Sequence, residues 1–517
     1  MSTAELAAQL DQIEQSGLLA SVGGPGERRC AFKHALVRDI AYQSLWLRDR
    51  QQVHRAVAAV LRASWPELAQ RQPELLAHHQ TEAGLDAEAL VQWEVAARRA
   101  ASRSAHDEAI QHLQRALALL DGQPGGRERS GTELRLQLLL ASRFIATEGY
   151  GAERVERVYA RAEQLGDELG DAGARLKAQL GLEGWHFMRG DFARAHEIAQ
   201  RAAALAAQSG DARARLQVDW AIANILFHEG DGLAAVRRMD ECLAVYRPEH
   251  HHRAAVQDPG VMCLCYSAWG QWELGHPDDA LGRIERVLGL ARQLDHKFSL
   301  GEAWGFAANV HRYRGEHGQA LECAERAIEI CEDGGFAVWL AHAHVMRGWL
   351  LCERGEHASG IGEMQEGLAL WQRSGAVVTQ PLYLALLAEG LARSGDLAQA
   401  LARLDEAMAI VDGHGERYFE AEVRRLSAEL RLQRDGRRQP AARAAAVQGL
   451  QAAHALAMRQ HKRGFALRSA TSLARLWHED GRAREACDLL GPQLAWFKEG
   501  LQTQDVLQAR ALLQAMR

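Results

Sequence analysis

One histidine–cysteine grouping and one histidine pair in this chain of 517 residues have residue types that could bind a metal ion. His250-His251-His252 precedes Cys263-Leu264-Cys265, and imidazole nitrogens with thiolates make a soft N/S donor set of the kind zinc takes. The spacing argues against such a site. Adjacent histidines rarely converge on one ion, and helical residues two apart face different sides, so Cys263 and Cys265 diverge. His342 and His344 meet the same objection. The expectation is no metal and no cofactor.

Catalytic motifs are missing as well. None of the lysines (Lys33, Lys177, Lys297, Lys462, Lys498) follows a glycine, which excludes the G-K-[ST] of a phosphate-cradling loop. H-E-x-x-H, G-x-S-x-G and G-x-G-x-x-G are also absent. The chain therefore reads as non-enzymatic, with no catalytic residue assigned.

A third set is built for recognition. Trp220, Asn224, Phe227 and His228, then Trp269 and Trp272, then Asn309, Arg312 and Tyr313, then Trp349, then Glu389 and Arg393 recur in one register. Aromatic rings beside Asn, Arg, His and Glu offer contact area with hydrogen-bonding tips, as a groove for a peptide, a helix or a small polar ligand requires. The plainer reading is that these rings pack between helices, as large aromatics at helical spacing usually do.

That register comes from a repeat. Gly190, Gly230, Gly275, Gly315, Gly355 and Gly395 fall 40, 45, 40, 40 and 40 residues apart, each between two amphipathic helical segments. A looser copy is Gly481-Arg482-Ala483-Arg484-Glu485-Ala486. A period near 40 suits HEAT-type as well as tetratricopeptide (TPR) repeats. The internal pattern decides for TPR. Around Gly315, Trp304, Ala307-Ala308, Ala320 and Ala327 occupy the packing positions, and Leu387-Ala388, Ala400 and Ala407 do so around Gly395. The Gly355 copy carries Gly360 and Gly367 in place of Ala, which predicts a closer or weaker helix pair.

The expected fold is all-α: a TPR-like superhelix of helical hairpins behind a partial winged helix with one β-hairpin. Residues 1–65 hold the winged-helix remnant and connecting helix, 66–131 the first hairpins and linker, 132–432 the array, and 433–517 the terminal hairpins and cap. The hairpin is read as Leu18–Val22 and Arg28–Phe32 about a Gly23-Gly24-Pro25-Gly26 turn, followed by one helix from about Ala35 through Trp46 to Trp65. Basic residues at Arg28, Arg29, Lys33, Arg38, Arg48, Arg50, Arg55 and Arg62 outnumber Glu27, Asp39 and Asp49 there. A DNA-contacting wing is one reading and a solvated helix face the other. The net charge of −6 favours the second.

The 8 cysteines show no CxxC pair and read as reduced core thiols. With no signal peptide and no apolar run long enough to span a bilayer, the expected location is cytoplasmic.

Several stretches resemble one bacterial group. Phe32-Lys33-His34-Ala35-Leu36-Val37-Arg38-Asp39-Ile40-Ala41-Tyr42 is similar to the junction that follows an AAA/STAND-type ATPase module in large signalling proteins. Glu74-Leu75-Leu76-Ala77-His78-His79 continues the likeness, as do Gly275-His276-Pro277-Asp278-Asp279-Ala280-Leu281 and Gly415-Glu416-Arg417-Tyr418-Phe419. The order of these stretches resembles the C-terminal TPR region of multidomain adenylate/guanylate cyclase–ATPase proteins. Neither the cyclase nor the ATPase domain has residues here, so neither activity carries over. The resemblance implies a sensor-scaffold that binds a protein or peptide partner, possible ATPase or cyclase modules among them, and that is a fragment or one half of a split system. Two alternatives accompany it: a DNA-binding regulator using the N-terminal basic segment, and a small-ligand sensor using the groove.

Overall fold

The computed structural model describes residues 3–21, 30–251 and 257–517. Among these the chain is helical apart from one two-stranded antiparallel sheet. It divides into two compact units, Met1–Arg103 with Gln111–Gln123, and Ser104–Ile110 with Pro124–Arg517.

The first unit begins with the helix Thr3–Gln15 and the strands Leu19–Ser21 and Cys30–Phe32, paired with Leu19 opposite Phe32 and Ser21 opposite Cys30. The expected glycine turn, Arg28 and Arg29 lie outside the described residues. The long helix expected up to Trp65 is two helices, Ala35–Ser44 and Leu47–Ser64, because Leu45 and Trp46 are extended. The first piece buries no residue, whereas the second buries His54, Ala58 and Leu61. The break thus frees the second helix to aim its own face at Pro73–Glu82, where Leu61 meets Leu76. Pro73–Glu82 pairs in turn with Asp86–Ser102, and Trp93 Nε1 donates to Thr81 Oγ1 at 3.0 Å.

The second unit is the array. Inner helices Ala172–Met188, Ala212–His228, Pro259–Leu274, Lys297–Arg314, Ala337–Glu353, Gln380–Arg393, Glu420–Asp435 and Arg463–Glu479 each precede an outer helix. Outer partners such as Pro277–Leu294 and His317–Gly334 carry alanines on the packed face, with Ala320, Ala324 and Ala327 fully buried. The break glycines end inner helices in the left-handed region, with φ of 93° at Gly275 and 80° at Gly315. That conformation strains any residue with a Cβ, which is why glycine recurs at this point of the repeat. The Gly355 pair is the close one: a Cβ at Gly348 would stand 2.6 Å from the Gly360 carbonyl oxygen, and one at Gly360 would stand 2.4 Å from that of Gly348.

The superhelix is wound so tightly that each turn rests on the one before it. The Met188 carbonyl accepts from the Val377 and Val378 amides at 2.7 and 3.2 Å. One repeat along, the His228 carbonyl accepts from Arg417 and Tyr418 at the same two distances. Carbonyls at a helix C-terminus have no partner within the helix, and here the start of the inner helix one turn later supplies it. Further on, Gly500 N donates to Asp278 Oδ2 at 2.8 Å, and Glu499 Oε1 accepts from the Asp278 and Asp279 amides.

Candidate functional site

Turn-on-turn contact decides what the inner helices can expose. Pro259–Leu274 is buried on nearly every side. A helix apolar all round must be covered all round: the adjacent repeats cover two sides, and Phe465, one turn later, meets Trp272 with ring centroids 5.3 Å apart. Trp269 packs on Phe306 with ring centroids 4.1 Å apart, and Tyr266 touches Trp220, Phe227, Trp269 and Phe306. Trp272 stacks on Tyr313 at 4.0 Å. His342 Nε2 lies 3.2 Å from the Gly305 carbonyl and Nδ1 lies 2.8 Å from the Tyr383 hydroxyl. A carbonyl only accepts, so Nε2 carries the proton and Tyr383 donates to Nδ1. Burial pushes the His342 pKa down to about 4, which keeps the ring neutral in this bridge.

Of the residues expected in a groove, Phe227, His228, Trp269, Trp272, Asn309 and Tyr313 are buried in this spine. Trp220 and Asn224 are half-buried. Arg312 and Trp349, also buried, form a separate group along the inner helices with half-buried Glu389 and exposed Arg393. Trp349 Nε1 donates to Glu389 Oε2 at 2.6 Å. The guanidinium carbons of Arg312 and Arg393 each lie 5.3 Å from the Trp349 ring centre, one buried and one on the exposed side. Arg393 pairs with Glu353. Arg312 is different: its Nε and Nη2 donate to Asn309 Oδ1 at 3.0 and 2.8 Å, and among the described residues no carboxylate lies within ion-pairing distance. Burial pushes its pKa down.

The later inner helices continue this charged line. Glu422 pairs with Arg425 at 2.8 Å and with Arg468 at 3.2 Å, and Arg468 also pairs with Asp505 at 2.8 Å. Burial alone would raise the Glu422 carboxyl, but the two guanidiniums hold it down at about 2.

Sequence reasoning missed three features. One is the fully enclosed pair Lys462 and Glu273, 2.8 Å apart, with the Lys462 ammonium also donating to the Tyr418 carbonyl. Another is Glu416, whose Oε1 is 3.0 Å from His228 Nδ1, 188 residues earlier in the chain, and accepts from the Thr379 amide at 2.8 Å. The only sequence signal for either is a charge placed where the repeat wants an apolar residue. The third lies in the first unit: His54, His78 and His79 bring their ring nitrogens within 4.8 Å of one another. As for the groupings weighed from sequence, Cys263 and Cys265 are both buried with thiols pushed up by burial, while His252 and the side chain of His251 lie outside the described residues. Away from the sequence-derived residues, a cleft of about 940 Å³ opens at the seam between turns, lined by Leu233, Arg237, Asp240, His276, Arg463 and Trp496 among others. Among the described residues no helix is long and apolar enough to cross a membrane.

No protein-family model matches the chain. An uncharacterised protein of Rhizobium meliloti (strain 1021) is 26% identical over 451 residues, which cover 84% of this chain and 43% of that protein. The chain therefore spans less than half the length of this relative. Among solved structures, the Rap protein complexed with Competence and Sporulation Factor superposes with a TM-score of 0.51 at 13% identity, over 72% of this chain and 97% of Rap. The Pyrococcus horikoshii STAND protein with a tetratricopeptide repeat sensor matches 74% of this chain and 55% of its own, at 14% identity and a TM-score of 0.38. The chain has a TPR-like helical-repeat fold.

Proposed function

We propose that this chain is a non-enzymatic interaction module whose inner helices receive an acidic group of a protein or peptide partner at Arg312, Trp349 and Arg393. The observation that carries this reading is Arg312. Among the described residues it is a buried guanidinium with a neutral hydrogen-bond partner and two aromatic faces but no carboxylate within ion-pairing distance. Burying a cation unpaired is costly, and a carboxylate from outside would offset that cost. Arg393, on the exposed side of Trp349, offers the approaching group a second cation. Glu389, already engaged by the Trp349 indole, fixes the ring as a platform between them.

The wider role follows the family resemblance and the length of the Rhizobium relative. The array is read as a sensor-scaffold that biases an ATPase or cyclase module, carried on the same polypeptide or a separate one. That Rap was solved with a bound factor is consistent with a peptide partner for this fold.

Photo-crosslinking tests the proposal. With p-benzoylphenylalanine at the exposed position 394, beside Arg393, in cells of the source organism, the full chain is expected to capture a discrete partner. Arg312→Gln or Arg393→Gln should cut capture at least tenfold while leaving the melting temperature within a few degrees. Capture indifferent to both substitutions would refute the site.

A further inference from the structure

Three imidazoles converge in the first unit, and no residue of the array takes part. His54 comes from the helix Leu47–Ser64, and His78 and His79 from Pro73–Glu82. Their ligand nitrogens lie within 4.8 Å of one another, and the Nδ1 atoms of His54 and His79 are 2.8 Å apart. His54 is buried, His79 half-buried and His78 exposed; adjacent histidines such as His78 and His79 rarely converge on one ion, yet here their ring centroids stand 5.3 Å apart and both lie beside His54.

We propose that His54, His78 and His79 form a zinc site that clips these two helices together, with the fourth position taken by water. Three neutral imidazoles with an open position are a donor set zinc accepts. Two nitrogens at about 2.0–2.1 Å from a tetrahedral ion stand about 3.3 Å apart, so His54 and His79 need separate only slightly while His78 swings in.

A second observation is the arrangement behind His54. Its Nε2 lies 2.9 Å from the Tyr42 hydroxyl, and that hydroxyl lies 3.4 Å from Glu82 Oε2. When Nδ1 binds a metal, Nε2–H donates to Tyr42 and Tyr42 donates to Glu82. Such an outer hydrogen-bond chain ending on a carboxylate orients metal-binding histidines and raises their basicity.

The test uses the purified full chain titrated with zinc against a chromophoric chelator at pH 7.5. One zinc per chain is expected, bound at micromolar Kd or tighter. His54→Gln and His79→Gln should weaken it at least a hundredfold. Because a buried substitution can unfold the unit, the exposed His78→Gln is the second variant. It should weaken binding at least tenfold with an unchanged melting curve in the absence of zinc. Cys30→Ser, which removes the exposed thiol, should change nothing. Cobalt in place of zinc should give nitrogen and oxygen ligation without a thiolate charge-transfer band. A thiolate band, no stoichiometric zinc, or binding unmoved by His78→Gln would each overturn the assignment.

Discussion

Lys462, at the start of the inner helix Arg463–Glu479, meets Glu273 of Pro259–Leu274 at 2.8 Å with both side chains fully enclosed, one superhelical turn apart. Burial pushes the Glu273 pKa up and that of Lys462 down, and the charge and hydrogen bond each offers the other oppose both shifts. The pair fastens the last turn of the array to the one beneath it. It does so in a chain with few lysines.

Removing one partner should therefore be costly. Lys462→Met is expected to lower stability by about 3–5 kcal/mol, because Glu273 is left as an uncompensated buried group. The double variant Lys462→Met with Glu273→Leu should recover much of that loss. Urea denaturation of the four proteins of this cycle checks it, and additive losses would show that the two side chains do not act as a pair.

Stability should also carry the signature of Glu183, which burial raises to about 8 from an ordinary value of 4.5. Between those values the unfolded chain releases the proton while the folded chain keeps it. Stability is then fully present below about 4.5 and is lost as the pH rises toward 8. Glu183→Gln should flatten the slope by up to about 1.4 kcal/mol per pH unit. Melting curves from pH 5 to 8 provide the comparison; an unaltered slope would contradict a buried neutral carboxyl.

At the close helix pair, Gly360→Ala forces a methyl group toward the Gly348 carbonyl. We expect a loss of about 1–3 kcal/mol, typical of overpacking. Gly362→Ala, on the same outer helix with open space around it, should be neutral or slightly stabilising through helix propensity. Equal effects at the two positions would mean that the helices are not in backbone contact.

The groove residues separate by substitution as they do by burial. Trp269→Ala empties part of the spine beside Phe306 and should cost about 3–5 kcal/mol. Arg393→Ala, at the exposed side, should stay within about 0.5 kcal/mol. Thermal unfolding of both variants tests the division. A tolerated Trp269→Ala would return that ring to the groove.

Much of the fold is written in local pattern. The spacing from Gly190 to Gly395, with alanines such as Ala320 and Ala327, gives helix, break and partner helix without any knowledge of the tertiary contacts. Turn-on-turn closure is not local: it depends on a small rotation per repeat accumulated over several repeats, which no window of residues encodes. A trace of it is still legible. Pro259–Leu274 lacks a polar face, and so does Gln380–Arg393, where an open superhelix would have needed one. The repeat register puts Trp269 and Trp272 on an inner helix, where they lie, but leaves open whether that face meets solvent or another turn. Likewise nothing in the sequence around His78 and His79 points to His54, which the break at Leu45-Trp46 lets turn toward them.

Amide hydrogen exchange tests the closed superhelix most directly. Val377 and Arg417 precede their helices, where amides ordinarily exchange within seconds, yet here they donate to the Met188 and His228 carbonyls. We predict that they are protected as strongly as amides in the middle of Pro259–Leu274, and that Glu416→Ala, which removes the acceptor shared by His228 and the Thr379 amide, strips that protection. Rapid exchange at both positions in the intact chain would contradict an array whose turns rest on one another.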